Sequence, residues 1–423
     1  MSNKHLLIKK SPPLNGTVHL AGAKNAVLTI MASLILTNGR SILRNVPDSN
    51  DIRQMIQLLT NLGATVTFSP ESNILEVNTS SITNFQVSPE IMNKMRASIL
   101  VMGPLLARFG QAEVALPGGC LIGTRPIDFH LKGFTKLGAI IGQTGHSLHA
   151  TLQKTSQENR VILEYPSVGA TENIMMCAVL MLGTTTIVNA AFEPEVLDLV
   201  SVLKKMGAKI TCGPGLTIQI TGVHSLRPVV HDIIPDRLEA GSLLLAAAIT
   251  GGQIHIPNAQ PDTMDIFLEK LAQMGHEIDC SHGIYIKATT SPLAINVKTA
   301  PYPGFPTDLQ APMMAALTLA NGVSEIEETV FENRLIHVQE LKKMGAQIDV
   351  AGTSSRKAIV RGVKTLCGCE VVASDIRASC ALALAGLAAT GQTKMTGVHH
   401  WKRGYDQLEQ KLGLLGGNIS LIA

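Results

Sequence analysis

Aromatic residues are scarce in this 423-residue chain, which has one Trp, four Tyr and nine Phe, 3% in all. That scarcity argues against surfaces that stack nucleic-acid bases. Charge of one sign is also missing: 35 Lys and Arg against 32 Asp and Glu leave a formal net charge of +3, with no long basic run. Bulk attraction to nucleic acid or to a membrane surface is therefore not indicated. The longest apolar runs, such as "SLLLAAAIT" at Ser242–Thr250, fall well short of a membrane span. The opening "MSNKHLLIKKSPPL" has no apolar core of the kind a signal peptide carries. Seven cysteines form no C-x-x-C pair and no zinc spacing. Cys177 and Cys380 lie in apolar helical patterns and read as small core residues. Cys367 and Cys369 flank a single glycine, too close for a comfortable disulfide. A reducing, cytoplasmic compartment fits this usage best.

What the chain has in abundance is self-similarity. A helix ending in Leu or Met, then Gly, a small residue and a strand recurs as "NLGATVTF", "KLGAIIGQ", "KMGAKITC", "QMGHEIDC", "KMGAQIDV" and "LLGGNISL". The marker glycines are Gly63, Gly138, Gly207, Gly275, Gly345 and Gly416, spaced 75, 69, 68, 70 and 71 residues apart. A second marker keeps phase with the first: an apolar helix stops at glycine before a short strand in "NGRSILRNV", "FGQAEVALP", "LGTTTIVNA", "GGQIHIPNA", "NGVSEIEET" and "TGQTKMTGV". Each unit reads strand, helix, strand, helix, strand, strand. Three units make a domain of ordinary size, and the whole chain is too long for one core.

A bare scaffold would open its six central helices alike. Instead they open on "GAKNA", "NKMRAS", "SVGATEN", "PDRLEAG", "FPTDLQA" and "SDIRAS". Varied Lys, Arg and Asp residues at helix N-termini suit anion binding better than simple capping. A further stretch, "LPGGCLIGTRP" at Leu116–Pro126, puts Cys120 directly after two glycines with an arginine five residues on. Gly-Gly exposes backbone, and positive charge favours thiolate, so this thiol is placed to react.

These residues, with "AGAKNA", "MRAS", "NAQPDT", "ETVFENR" and "RGY" in the same order, closely resemble the bacterial UDP-N-acetylglucosamine 1-carboxyvinyltransferases. The resemblance covers essentially the whole chain. It implies an α/β enolpyruvyl transferase fold: two inside-out α/β barrel domains, each of three repeats of about 70 residues. Residues 1–22 and 236–423 would form one domain, with the N- and C-terminal strands together. Residues 23–235 would form the other, which carries the cysteine loop. The implied reaction moves the enolpyruvyl group of phosphoenolpyruvate to the 3′-hydroxyl of UDP-N-acetylglucosamine and releases phosphate. No metal and no redox cofactor is implied, and neither a nucleic-acid nor a membrane partner.

Residue by residue, the resemblance assigns Lys24, Arg125 and Arg403 to the phosphate of phosphoenolpyruvate, Arg334 and Arg377 to its carboxylate, and Asn25 to a polar contact at the reacting centre. Cys120 would supply the proton to the methylene carbon and be open to alkylation by fosfomycin. Gly118 and Gly119 would let its loop fold over the substrates. Asp308 would take the proton of the sugar hydroxyl; read alone, it is equally a helix cap. Asp375, Asp236 and Glu239 would orient the cations or start helices. The nucleotide sugar would meet Arg96, Arg125, Pro126, Ile127, Asp128, Phe129, Ser167 and Val168, with Asp308 and Val330 near its sugar ring.

Two stretches depart from the family. Tyr165 stands where a lysine commonly meets the diphosphate, which implies weaker nucleotide binding or another cation in its place. Trp401 and Lys402 stand where the family usually has an apolar residue and Asp, so the setting of Arg403 differs. A catalytically weak UDP-sugar-binding paralogue is the alternative these departures leave open. The shikimate-pathway enolpyruvyl transferase is a further one, although it is not expected to carry the loop cysteine.

Overall fold

A computed structural model describes residues 4–87, 90, 96–115, 127–153, 158–350 and 356–422, with the backbone alone at 96–98. Among the described residues, twenty-four strands form six four-stranded sheets with one shared order. The sheet of Asn159–Ile162, Thr184–Val188, Lys209–Gly213 and Thr217–Thr221 shows the pattern. Its first two strands are parallel, and its last two form an antiparallel hairpin whose final strand lies in the middle. A parallel pair requires a crossover, here the helix Val168–Ala178. Strand residues alternate as a half-buried sheet demands; Ile218 and Ile220 are buried between exposed or half-exposed neighbours.

Three of the six repeats are closed by strands borrowed from elsewhere in the chain. Val230–Asp232 pairs parallel to Arg40–Arg44 and so opens the sheet of the first repeat. Asn15–Thr17 does the same for Gln253–Ile256. His5–Lys9 lies between Gln392–Thr396 and Ile419–Ile422, antiparallel to both, and completes the last sheet. The described residues divide into two compact units: 4–21 with those from 235 onward, and 22–234.

All six marker glycines have φ between +92° and +110°. That is left-handed backbone, which L side chains rarely adopt, so glycine recurs there for a conformational reason.

The helices that precede the second strand of each repeat are apolar nearly all round, which is the signature of a buried helix. In one unit Arg237–Thr250, Gln310–Leu317 and Ile376–Ala388 pack on one another. Every residue from Leu238 to Ala248 and from Arg377 to Leu387 is buried. In the other unit Lys24–Ser33, Met102–Phe109 and Val168–Ala178 are the counterparts. Cys177 and Cys380 are fully buried in these helices, as their patterns predict. Among the described residues, no helix is long and apolar enough to cross a membrane.

One buried contact ties two of these helices together. Thr29 Oγ1 donates to Glu172 Oε2 at 2.9 Å, with both residues enclosed. Burial pushes the Glu172 carboxyl up to about 8; the Thr29 bond opposes this, and the charges of Glu195 and Glu193 add to it. Between the ordinary glutamate value and about 8, the folded chain holds a proton that the unfolded chain has lost. Stability therefore falls across that window by up to about 1.4 kcal/mol per pH unit. Glu172→Gln should remove this slope. Urea denaturation from about pH 5 to about pH 9 checks it, and parallel profiles for the two proteins would contradict it.

Candidate active site

In the unit that starts at residue 235, "FPTDLQA" forms a short 3-10 turn, Thr307–Leu309, that runs into the helix Gln310–Leu317. Asp308 within it points at two cations. Its Oδ1 accepts from Arg334 Nη2 at 2.7 Å and from Arg377 Nε at 3.0 Å. Both arginines are buried, while the Asp308 side chain keeps 32% of its exposure. Beside the two sequence readings of this Asp, as proton acceptor and as helix cap, the geometry adds a place between two arginines.

Each arginine is delivered by a distinct local device. Arg334 follows a turn organised by the fully buried Glu328. Glu328 Oε1 accepts from Thr299 Oγ1 and from the amides of Val330 and Phe331, and Oε2 accepts from Thr307 Oγ1 at 2.8 Å. One carboxylate thus fixes both the turn before Arg334 and the turn that carries Asp308. Arg377 lies in the first turn of Ile376–Ala388. Asp375 caps that helix by accepting from the amides of Arg377 at 2.8 Å and Ala378 at 3.0 Å. Burial works against the charge on Arg377, but Asp308, Tyr405 and Asp236 outweigh it, and its pKa lies above the ordinary arginine value. Burial likewise opposes ionisation of Asp375, but the Ala378 amide, Arg334, His337 and the Arg377 amide hold its carboxyl below the usual range.

Two further acids of this unit that the resemblance singles out, Asp236 and Glu239, have other partners. Asp236 caps Arg237–Thr250 through the amides of Leu238 and Glu239. Glu239 is buried and accepts from the Ala21 amide at 2.8 Å and Lys411 Nζ at 2.6 Å. Burial raises it to about 6, with Lys411 pulling the other way. Arg403 lies half-buried on Val398–Gly404 with Lys402 beside it. Trp401 turns into the core, and its indole donates to Glu409 Oε2 at 2.7 Å, so the departure at this position fills an apolar space. Val330 is half-buried.

In the other unit Lys24 opens the helix Lys24–Ser33. It is largely buried, with Nζ 3.3 Å from Asp51 Oδ2. Asn25, the next residue, is exposed. Ser167 caps Val168–Ala178 by accepting from the Ala170 amide at 3.4 Å, and Val168 is the first helical residue. Tyr165, half-exposed, lends its carbonyl to the Ser167 amide. Ile127 precedes the helix Asp128–Lys136, where Phe129 is partly buried and Asp128 pairs with Lys132 at 3.7 Å. Arg96 begins the 3-10 helix Arg96–Val101. Cys120, Arg125 and Pro126 lie outside the described residues.

The structure thus joins Asp308, Arg334 and Arg377 in one cluster, and it sets Lys24, Ser167 and Val168 at two helix starts. Three contributors escaped sequence reasoning. Glu328 sits inside the motif "ETVFENR" and Tyr405 inside "RGY", yet neither motif shows whom they bind. Asp51 is 27 residues from Lys24 and has no local signal.

The fold and these helix starts define a class. The family model for EPSP synthase (3-phosphoshikimate 1-carboxyvinyltransferase) matches residues 8–412, and the chain belongs to that family. Within it, the chain is 47% identical over 414 residues, 98% of each chain, to UDP-N-acetylglucosamine 1-carboxyvinyltransferase 1 of Caldanaerobacter subterraneus. It is also 47% identical over 419 residues, 99% of each chain, to the Staphylococcus aureus protein of the same name. Among solved structures, the enolpyruvyl transferase NikO of Streptomyces tendae aligns with a TM-score of 0.88 at 23% identity, covering 99% of this chain and 98% of that one. EPSP synthase of Acinetobacter baumannii aligns over both whole chains with a TM-score of 0.74 at 16% identity. These two likenesses bear on the fold alone.

Removing Asp308 would leave two buried guanidinium groups without their shared partner. Breaking one side of such a cluster is costly, and the partial exposure of Asp308 reduces the effect. Asp308→Ala should lose roughly 2 kcal/mol in urea denaturation. Stability equal to that of the wild type would mean the arginines are held by other groups.

Proposed function

We propose that this chain transfers the enolpyruvyl group of phosphoenolpyruvate to the 3′-hydroxyl of UDP-N-acetylglucosamine and releases phosphate. This is the first committed step of peptidoglycan precursor synthesis, and it takes place in the cytoplasm. The observation that carries the reading is the 47% identity, over essentially the full length, to proteins of that name. The cluster around Asp308 supplies chemistry in keeping with it.

Arg334 and Arg377 take the carboxylate of phosphoenolpyruvate through forked hydrogen bonds, and Asp308 holds them at a set angle. Lys24, Arg125 and Arg403 take the phosphate, and Asn25 adds a polar contact. The UDP-sugar lies against Arg96, the segment 125–129, Ser167 and Val168, where a helix start suits the diphosphate. Val330 meets its sugar ring.

The reaction then runs by addition and elimination. Asp308 accepts the proton of the 3′-hydroxyl as its oxygen bonds to the central carbon of phosphoenolpyruvate. Cys120 donates a proton to the methylene carbon, which becomes a methyl group. In the second stage that methyl group returns a proton to the thiolate left on Cys120 as the carbon–oxygen bond to phosphate breaks. The enol double bond re-forms on the sugar, and the phosphate leaves with the bonding electron pair. Cation neutralisation of the leaving phosphate lowers the barrier.

Phosphate release from phosphoenolpyruvate should require UDP-N-acetylglucosamine and fall by at least about a hundredfold in Cys120→Ala, the scale of a lost general acid. A colorimetric phosphate assay reads both. Release that ignores the nucleotide sugar, or none with any sugar, would overturn the reading.

A further inference from the structure

The motif Arg403–Tyr405 contributes more than its arginine. Gly404 is where the helix Val398–Gly404 presses on the start of Ile376–Ala388: a Cβ there would lie 2.2 Å from Ile376 Cγ2. That close approach brings the next residue, Tyr405, onto Arg377. The Tyr405 ring centroid is 5.5 Å from the guanidinium carbon, and Arg377 Nη1 donates to the phenol oxygen at 3.1 Å. Trp401 backs the ring at a centroid distance of 5.4 Å.

The direction of this bond is determined by what lies behind it. A guanidinium only donates, so the phenol oxygen must accept from it and send its own proton elsewhere. Ser242 Oγ is 3.2 Å from that oxygen, and the Ser242 hydroxyl already donates to the Leu238 carbonyl at 2.8 Å. Ser242 can therefore receive the phenol proton. These donors and acceptors fit an order Arg377 to Tyr405 to Ser242 to Leu238, with Tyr405 5% and Ser242 1% exposed, and the buried Cys380 thiol also bonds the phenol and the serine hydroxyl. Such a chain is a fixed dipole in a low-dielectric setting, where each link strengthens the next. Arg377 is then gripped at two points: Nε by Asp308 at 3.0 Å and Nη1 by Tyr405.

We infer that Tyr405, oriented by Ser242, is a positioning residue that sets the guanidinium plane of Arg377 for the carboxylate of phosphoenolpyruvate. The inference rests on the function proposed above, and it adds a residue that acts through Arg377 without touching substrate itself. A forked arginine–carboxylate contact depends on the plane of the guanidinium, so one lost bond is felt mainly in binding of that substrate.

Tyr405→Phe keeps the ring and deletes the hydroxyl. Steady-state kinetics should show KM for phosphoenolpyruvate rising about tenfold, the scale of one hydrogen bond to a charged group. The KM for UDP-N-acetylglucosamine should stay within about twofold, and kcat should change less than the phosphoenolpyruvate KM. Ser242→Ala leaves the phenol in place but takes away the group that orients it, and should give a smaller rise in the same constant. A merely structural Tyr405 would lower the melting temperature without separating the two KM values. An unchanged phosphoenolpyruvate KM in Tyr405→Phe, or an equal rise in both KM values, overturns the inference. If Tyr405→Phe does not fold, Ser242→Ala decides by the same constants. If the wild type does not turn over, the functional reading falls, and calorimetric titration of phosphoenolpyruvate into wild type and Tyr405→Phe still decides the inference. Weaker binding by the variant supports it; equal binding, or none by the wild type, overturns it.

Discussion

Six helices with almost no polar face impose the constraint on which the rest of this structure depends. A helix such as Arg237–Thr250, buried from Leu238 to Ala248, cannot lie on a surface. Each unit therefore places its three apolar helices inside and its sheets outside. The price is paid at the helix ends, where the first turn leaves backbone amides unsatisfied. Asp236, Asp375 and Ser167 answer that need directly as caps. The candidate site grows out of the same places, because the polar residues a buried helix must carry at its start are also the ones able to meet an anion.

The cluster at Asp308 shows how tightly stability and chemistry are joined here. Arg334 and Arg377 are buried cations, costly to leave without a partner, and one carboxylate oxygen serves both. Glu328 is not part of that cluster, yet its four accepted bonds set the turns that deliver both Asp308 and Arg334. A substituent there would disturb the site through backbone geometry rather than through charge. In the other unit Lys24 has the analogous arrangement with Asp51: a cation at a helix start, paired with a buried acid.

The repeat was legible in the chain because its markers are conformational. Gly63, Gly138, Gly207, Gly275, Gly345 and Gly416 all take left-handed backbone that other residues resist, so the same letter returns at each helix end. The apolar helices announced themselves through composition, and the cations through motifs at their starts. The strand exchanges were harder to see. Nothing local in Val230–Asp232 says that it will pair with Arg40–Arg44, some 190 residues earlier, and only closure of the repeat requires it. Partners distant in sequence were equally hidden. Asp51 behind Lys24, Tyr405 and Ser242 behind Arg377, and Glu328 behind Arg334 are ordinary residues until the fold sets them side by side. Trp401 shows the converse: a departure beside Arg403 in sequence proves to be a core side chain bound to Glu409.

The most direct measurement of the central claim is the structure of the product formed from phosphoenolpyruvate and a mixture of UDP-N-acetylglucosamine and shikimate 3-phosphate, determined by mass spectrometry and NMR. The expected product is an enolpyruvyl ether on the 3′-oxygen of the nucleotide sugar, with the shikimate compound untouched. An enolpyruvyl ether on shikimate 3-phosphate, or consumption of neither acceptor, would contradict it.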